Sequence, residues 1–361
     1  MIRHHILGGM ACILALAAAP AAEEIPLPWS PPPVADPLRW SSLPLDPSRA
    51  EAPRRGQWAV SVTASSFNVI QSTWHAGTVH RGLGRLGAPL ASWELRIIER
   101  DFPADTFYYV DLEGWRADVR ASVGLGRGVA ASIGVSWIDV GRPHWDAVAE
   151  DFHSLLGLSQ SRRDWFPRGQ TLVYIHARHR TLERRDDLLG SGAGDSSLAL
   201  TGPMGRWLGA DHRWVAALQV PTGTPDTLRG TGGWDVGLRW FATWTRPRCQ
   251  WRAAAGFTRV DRHGRWLGLA RNDTWHALGE VRMRRGRRWV LRGSARLDAS
   301  PVADATGGAL AVPAFYASVG AVRLLGRGSW VAFDLGDNFP VRGTAPDYTL
   351  HLQWGTRLGG P

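Results

Sequence analysis

Trp115-Arg116-Ala117-Asp118-Val119-Arg120-Ala121-Ser122-Val123 divides residue by residue into two faces. Trp115, Ala117, Val119, Ala121 and Val123 fall on one, and Arg116, Asp118, Arg120 and Ser122 on the other. Successive side chains of an extended chain point in opposite directions, so strict alternation marks a strand with two unlike surroundings. Trp289 to Leu297 repeats it, with Trp289, Leu291, Gly293, Ala295 and Leu297 opposed to Arg292, Ser294 and Arg296. From Trp234 to Trp244, Trp234, Val236, Leu238, Trp240, Ala242 and Trp244 oppose Asp235, Gly237, Arg239 and Thr243, with Phe241 the exception. Near the end, Tyr348, Leu350, Leu352 and Trp354 oppose Thr349, His351 and Gln353.

A soluble antiparallel sandwich alternates with its apolar side inward. A membrane barrel alternates with its apolar side toward lipid and its polar side toward the lumen. Length separates the two. These runs reach nine to eleven residues, the span of a tilted membrane strand of about 9–11, whereas strands of soluble sheets centre on about 5–6. The apolar faces are built of Ala, Gly and Val with Trp at the ends, too thin for a core but sufficient against lipid. The fold class expected is therefore all-β, an antiparallel transmembrane β-barrel with long outer loops.

Composition agrees. The 361 residues include 42 Gly, 23 Pro and 20 Trp, and each of the 42 basic residues is Arg. Gly and Pro at that density cut a chain into short segments, and Trp suits interfacial girdles, although GC-rich codon usage also raises Trp, Arg and Gly together. The formal charge is +10, but the arginines form no block or arm, so nucleic acid is not expected as a partner.

At the start, Arg3, His4 and His5 precede the apolar run Ile6–Ala19 and the small residues Ala19-Pro20-Ala21-Ala22. This is the pattern of a secretory signal peptide over 1–22. It marks the chain for export, to the periplasm, the medium or a barrel, and with the strand pattern the expected place is the outer membrane of a Gram-negative bacterium, where outer-membrane lipid, lipopolysaccharide and the barrel-assembly machinery are the expected partners. Downstream there is no apolar run of 18 residues, so no membrane-spanning helix is expected. Cys12 lies in the signal, leaving Cys249 alone and excluding an intramolecular disulfide or a cysteine metal site in the mature chain. Residues 23–55, with Pro28, Pro31-Pro32-Pro33 and Pro44, read as an extended periplasmic tether or plug strand.

The barrel is expected over 56–361. Strands beginning near 56, 114, 128, 195, 212, 232, 249, 274, 288, 310, 329 and 347 make twelve, with fourteen as the alternative. Even parity returns both ends to one side. A further strand at Thr171–Arg180 would break the parity, so it belongs to an outer excursion, as do Ala91–Arg100 and Phe107–Leu112. The excursions are 68–113 and 139–194. The second carries a helical pattern, Trp145, Val148, Phe152, Leu155 and Leu156.

Gly128-Val129-Ala130-Ala131-Ser132-Ile133-Gly134-Val135-Ser136-Trp137 is followed by Asp151-Phe152-His153-Ser154-Leu155-Leu156-Gly157-Leu158, then by Ser191-Gly192-Ala193-Gly194-Asp195 and Gln219-Val220-Pro221-Thr222-Gly223. In that order, over roughly residues 35–355, the chain resembles an uncharacterised bacterial family catalogued as domain of unknown function 3187. The G-x-G-D and P-T-G pair is similar to the wider group of barrels linked to uptake of aromatic or fatty compounds. The resemblance implies an outer-membrane barrel and supplies neither an activity nor a site.

The chemistry expected lies on the lumen face. Arg116, Asp118, Arg120, Asp235, Arg239, Arg252, Glu280, Arg282, Arg292, Arg296, Asp298 and Asp334 all point there by phase. Two readings stay open: an arginine-rich wall that attracts a small anionic or amphipathic solute, or arginines and carboxylates that pair across the lumen and close it. Gly192, Gly194 and Asp195 are expected to form a positive-φ turn with Asp195 bonding its own backbone, because the third glycine and the strand–helix setting of a dinucleotide loop are missing. Pro221-Thr222-Gly223 reads as a strand terminator. No cofactor or metal is expected: His144, His153, His176, His179, His212 and His276 lack metal spacing. There is no G-x-S-x-G elbow, and His176 and His351 project toward the lumen by phase. An enzyme is therefore not expected. The alternatives to a solute channel are a non-conducting structural barrel or a lipid-modifying barrel enzyme.

Overall fold

The computed structural model describes residues 52–359 except 104–106, 142–145, 156–164, 178–179, 266, 303–311, 327 and 338–347. The signal peptide and nearly all of the Pro-rich segment lie outside the described residues. In chain order the elements are β1 (Trp58–Ser72), α1 (Trp74–Gly82), α2 (Ser92–Asp101), β2 (Phe107–Gly126), β3 (Val129–Gly141) and α3 (Asp146–Leu155). There follow β4 (Leu172–Ala177), β5 (Arg180–Arg184), β6 (Gly190–Ala193), β7 (Ser196–Trp207), β8 (Ala210–Val220) and β9 (Asp235–Thr245). The chain finishes with β10 (Cys249–Arg259), β11 (Thr274–Arg285), β12 (Trp289–Asp298), β13 (Ala314–Gly326), β14 (Ser329–Asp337) and β15 (Tyr348–Leu358).

Twelve of these strands close a barrel. β1, β2 and β3 pair in turn, β3 pairs with β7, each strand from β7 to β15 pairs with the next, and β15 returns to β1 from Trp58↔Leu358 to Asn68↔Tyr348. Every pairing is antiparallel, and closure removes the unpaired strand edges that lipid could not satisfy. The pleat sorts the side chains. On β9, Val236 and Leu238 are 59% and 64% exposed while Arg239 is 1% exposed. Trp115, Trp137, Trp234 and Trp275 are exposed toward the long-loop end, and Trp58, Trp207, Trp289 and Trp354 toward the short-turn end. Two tryptophan rims bounding an apolar band are what an interfacial girdle requires. At the lower rim, Trp207 stacks on His212 with ring centroids 3.4 Å apart, and Trp240 Nε1 donates to His212 Nδ1 at 3.1 Å. His212 therefore lies on the outward face, buried beneath Trp207 as a support of the girdle.

Above the band the wall continues. β1 and β2 stay paired as far as Ser72↔Tyr109, so residues 68–72 and 107–113 are strand rather than excursion. β4 adds to upper β2, β5 adds to β4, and β6 adds to upper β3. This small sheet has two apolar faces. Inward, Phe67, Val110, Leu112 and Val140 join Leu228, Leu267, Leu269 and Val302, contributed by loops from the far wall. Outward, Phe107, Tyr109, Leu172 and Tyr174 pack with Ala76, Leu90, Leu95 and Ile98 of the α1–α2 segment. Both faces being covered explains why the period-2 signal is masked here, Phe107 to Val110 being apolar on either face. The expectation of a single helical pattern is corrected: α1 and α2 join α3, which lies where that pattern placed it. They are short, and their turns bury only three or four residues each.

Candidate functional site: the barrel lumen

Residues of the inner face fall into three zones. The first, on β9 to β15, is a buried charge network. Arg271 pairs with Asp235, and Arg292 makes a bidentate pair with Asp334. Arg282 grips Glu280 through Nε at 2.6 Å and a second nitrogen at 3.1 Å, with Arg252 3.8 Å from the same carboxylate. Asp298 receives both Arg296 and His276, each 2.6 Å away. Arg239 donates to Thr258 Oγ1 at 3.3 Å, and His351 Nδ1 lies 2.7 Å from Ser65 Oγ. Asp334 is 0% exposed. A charge can be held so deep only when paired, and the backbone is shaped for it: a Cβ on Gly320 would come 2.0 Å from Asp334 Oδ1.

The second zone is apolar. Ala199, Val215, Ala217, Phe241, Ala254 and Leu278 form a buried patch on the inner wall of β7 to β11. Phe241, which breaks the polar inward run of β9, belongs to it and is fully buried. Nothing in the alternation distinguishes an inward Phe from a phase error, so this patch escaped sequence reasoning.

The third zone is on β1 to β3. Arg116 donates to both oxygens of Asp118 at 2.8–3.0 Å, yet their side chains keep 12% and 13% exposure. Arg120, Ser61, Ser122 and Ser132 on the same inner wall are part-exposed. Of the twelve charged candidates, then, nine belong to the buried wall and three to this more open one. Counting Arg271, which sequence phase could not place because it lies in a loop, these groups are eight arginines against five carboxylates.

Apolar groups pack at both ends of the lumen. The loop cluster described above lies across the outer mouth. At the short-turn end Trp330, Val290, Val322 and Ala332 pack inside the wall. There the chain preceding β1 also meets β2, with Gly56 N donating to Gly124 O at 2.8 Å and Gly124 N to Gln57 O at 3.0 Å.

Asp195 departs from expectation. It does not bond its own turn. Its Oδ1 accepts from Gly223 N at 2.9 Å, and its Oδ2 from Thr231 N, Thr231 Oγ1 and Gln219 Nε2 at 2.9, 2.8 and 2.8 Å. Thr222 Oγ1 in turn donates to Gly194 O at 2.9 Å and accepts from Ser196 N. The two motifs therefore form one joint that ties the β6–β7 turn to the β8–β9 loop. The positive-φ glycine here is Gly190, at +113°. Gly194 is required by contact, since a Cβ would lie 2.3 Å from Ser136 Oγ. His176 is also corrected: it lies on the outward face of β4, stacked on Phe107 at 4.8 Å. His144 and His179 lie outside the described residues.

No family model matches the chain, and no curated protein matches it. Solved structures do. A crystal structure of an outer-membrane channel from Pseudomonas putida aligns with TM-score 0.52 at 11% identity, covering 87% of this chain and 100% of that one. The NanC porin aligns with TM-score 0.42 at 8% identity, over 83% of this chain and 100% of that one. A FadL homologue of Pseudomonas aeruginosa gives 0.37 at 10% identity, over 90% and 98%. The first likeness places this chain's fold with a barrel of the outer-membrane channel type.

Proposed function

We propose that the protein is an outer-membrane channel for passive passage of a small anionic or amphipathic solute, and that it is not an enzyme. The observation that carries this is the part-exposed Arg116–Asp118–Arg120 wall in a lumen whose named charges are mainly arginine. Arginines along a confined wall lower the barrier for anions and raise it for cations. The buried network of β9 to β15 stiffens the far side and leaves the β1–β3 wall as the route. The buried apolar patch around Phe241 packs the wall of β7 to β11 in the same way. The signal-peptide pattern, the barrel-assembly machinery and outer-membrane lipid belong to the same reading.

A second reading, a non-conducting barrel, is favoured by the apolar cluster across the outer mouth. Zero-current potential in a salt gradient, recorded on refolded protein in a planar bilayer, separates the two. The channel reading requires resolvable steps with anion preference, at least halved by Arg116→Ala with Arg120→Ala. A protein that inserts but carries no current, or one with cation preference, overturns it.

A further inference from the structure

We infer that the α1–α2 helical pair is a docking surface for the phosphate groups of the outer-leaflet lipid, gripping the membrane beside the barrel. The inference rests on the outer-membrane reading above. Tyr109 and Phe107 share the pleat phase of Trp115 along an unbroken register, so the helices packed on them lie outside the wall, above lipid, and not over the pore. Leu172, in the same cluster, pairs with Asp111, four residues above Trp115. At about 3.3 Å per residue and the tilt of a barrel strand, the near edge of the cluster on which the pair packs stands roughly 10 Å above the aromatic rim. That is within reach of an arginine side chain from the headgroup layer.

Each helix turns a stripe of like chemistry outward. Trp74 and Arg81 are exposed one way along α1, and Trp93, Arg96 and Arg100 along α2. Leu83 and Leu86 are exposed in the link between them. The helices run side by side, with Trp74 against Phe102 at 5.3 Å at one end and Arg85 over the Trp93 ring at 5.5 Å at the other. The acids of the pair are largely engaged inward: Glu94 holds His80 and Arg85, and Glu99 holds Tyr174 and Thr181. Asp101 alone stands outside, beside Arg100. An exposed surface of Trp, Leu and Arg next to a lipid band is complementary to an interface with anionic headgroups. A second copy of the chain would bring the same arginines against these and be repelled.

The test places an environment-sensitive fluorophore on Leu86→Cys in a Cys249→Ser background, with Leu83→Cys as the duplicate position. Protein is inserted into vesicles of phosphatidylcholine alone or with one-fifth phosphatidylglycerol, and insertion is verified by heat-modifiable mobility. Shielding from acrylamide, a neutral quencher, should rise at least two-fold in the anionic vesicles, and should be lost in Arg81→Glu/Arg96→Glu and in 1 M salt. Equal quenching in the two vesicles overturns the docking surface while leaving the barrel intact. Shielding that follows protein density instead of lipid charge overturns it in favour of a second copy. Failure to insert overturns the membrane reading itself.

Discussion

Asp195 shows what a single carboxylate does when it has four donors. It accepts from two backbone nitrogens, a hydroxyl and an amide across two loops that are distant in sequence, and charge-assisted bonds of this kind are among the stronger ones a protein makes. Asp195→Ala leaves those donors without an acceptor and should cost about 2–4 kcal/mol, read as a lower midpoint for heat-modifiable mobility and as faster proteolysis within 221–234. An unchanged midpoint would show that the joint is redundant. Asp334 makes the complementary case. Arg292→Ala strands a fully buried carboxylate and should destabilise the barrel by about 3–5 kcal/mol, whereas the same change at exposed Arg206 should be near neutral. At this scale the sequence was legible by face but not by partner. Alternation assigns Arg292 and Asp334 to one side. That they meet depends on β12, β13 and β14 being neighbours and on Gly320 leaving space between them. Likewise the glycines of 192–194 read as turn formers because a missing Cβ signals positive φ and close approach equally.

Among the elements, the strands were readable because each one meets two unlike media along its whole membrane span. The expected starts near 128, 195, 249, 274, 288, 329 and 347 fall within a residue of β3, β7, β10, β11, β12, β14 and β15. The start expected near 114 is seven residues late for β2, because above the membrane that strand is apolar on both faces and alternation vanishes. The helices α1 and α2 were missed for a related reason. In α1 a stripe of Trp and Arg opposes small or polar buried residues, His75, Ala76, Gly77 and His80, which inverts the usual hydrophobic signal, and α2 buries only Leu95 and Ile98 beside Glu94, too few to set a period. The lipid-facing assignment predicts an asymmetry along one strand. Leu238→Arg, near the middle of the apolar band on β9, should cost about 2–4 kcal/mol in a bilayer, and Trp234→Arg, at the rim, about 0–1 kcal/mol. Equilibrium refolding into short-chain lipid vesicles measures both. Equal penalties at the two positions would show that the band is not where the exposed residues place it.

For the molecule as a whole, closure of twelve strands makes an interior too large for a single layer of aliphatic side chains, and this chain fills it unevenly. One wall carries buried ion pairs, another an apolar patch, and a third the part-exposed Arg116, Asp118 and Arg120. Loops from one wall meet the raised strands of the other over the outer mouth. Strand number and lumen polarity could be read from period-2 phase and turn spacing. The uneven filling could not, because it depends on which strands face each other across the barrel.

Cysteine accessibility in bilayers tests the barrel most directly. Single cysteines at Val236, Leu238 and Leu352, and at Ser61, Ser122 and Ser132, would be placed in a Cys249→Ser background. Each variant would be exposed to a charged, water-soluble maleimide after vesicle insertion. The account predicts no labelling at the first three, slow labelling at the second three, and rapid labelling of all six after denaturation. Labelling of Val236, Leu238 and Leu352 at rates equal to the others would contradict an apolar face turned to lipid, and with it the membrane barrel.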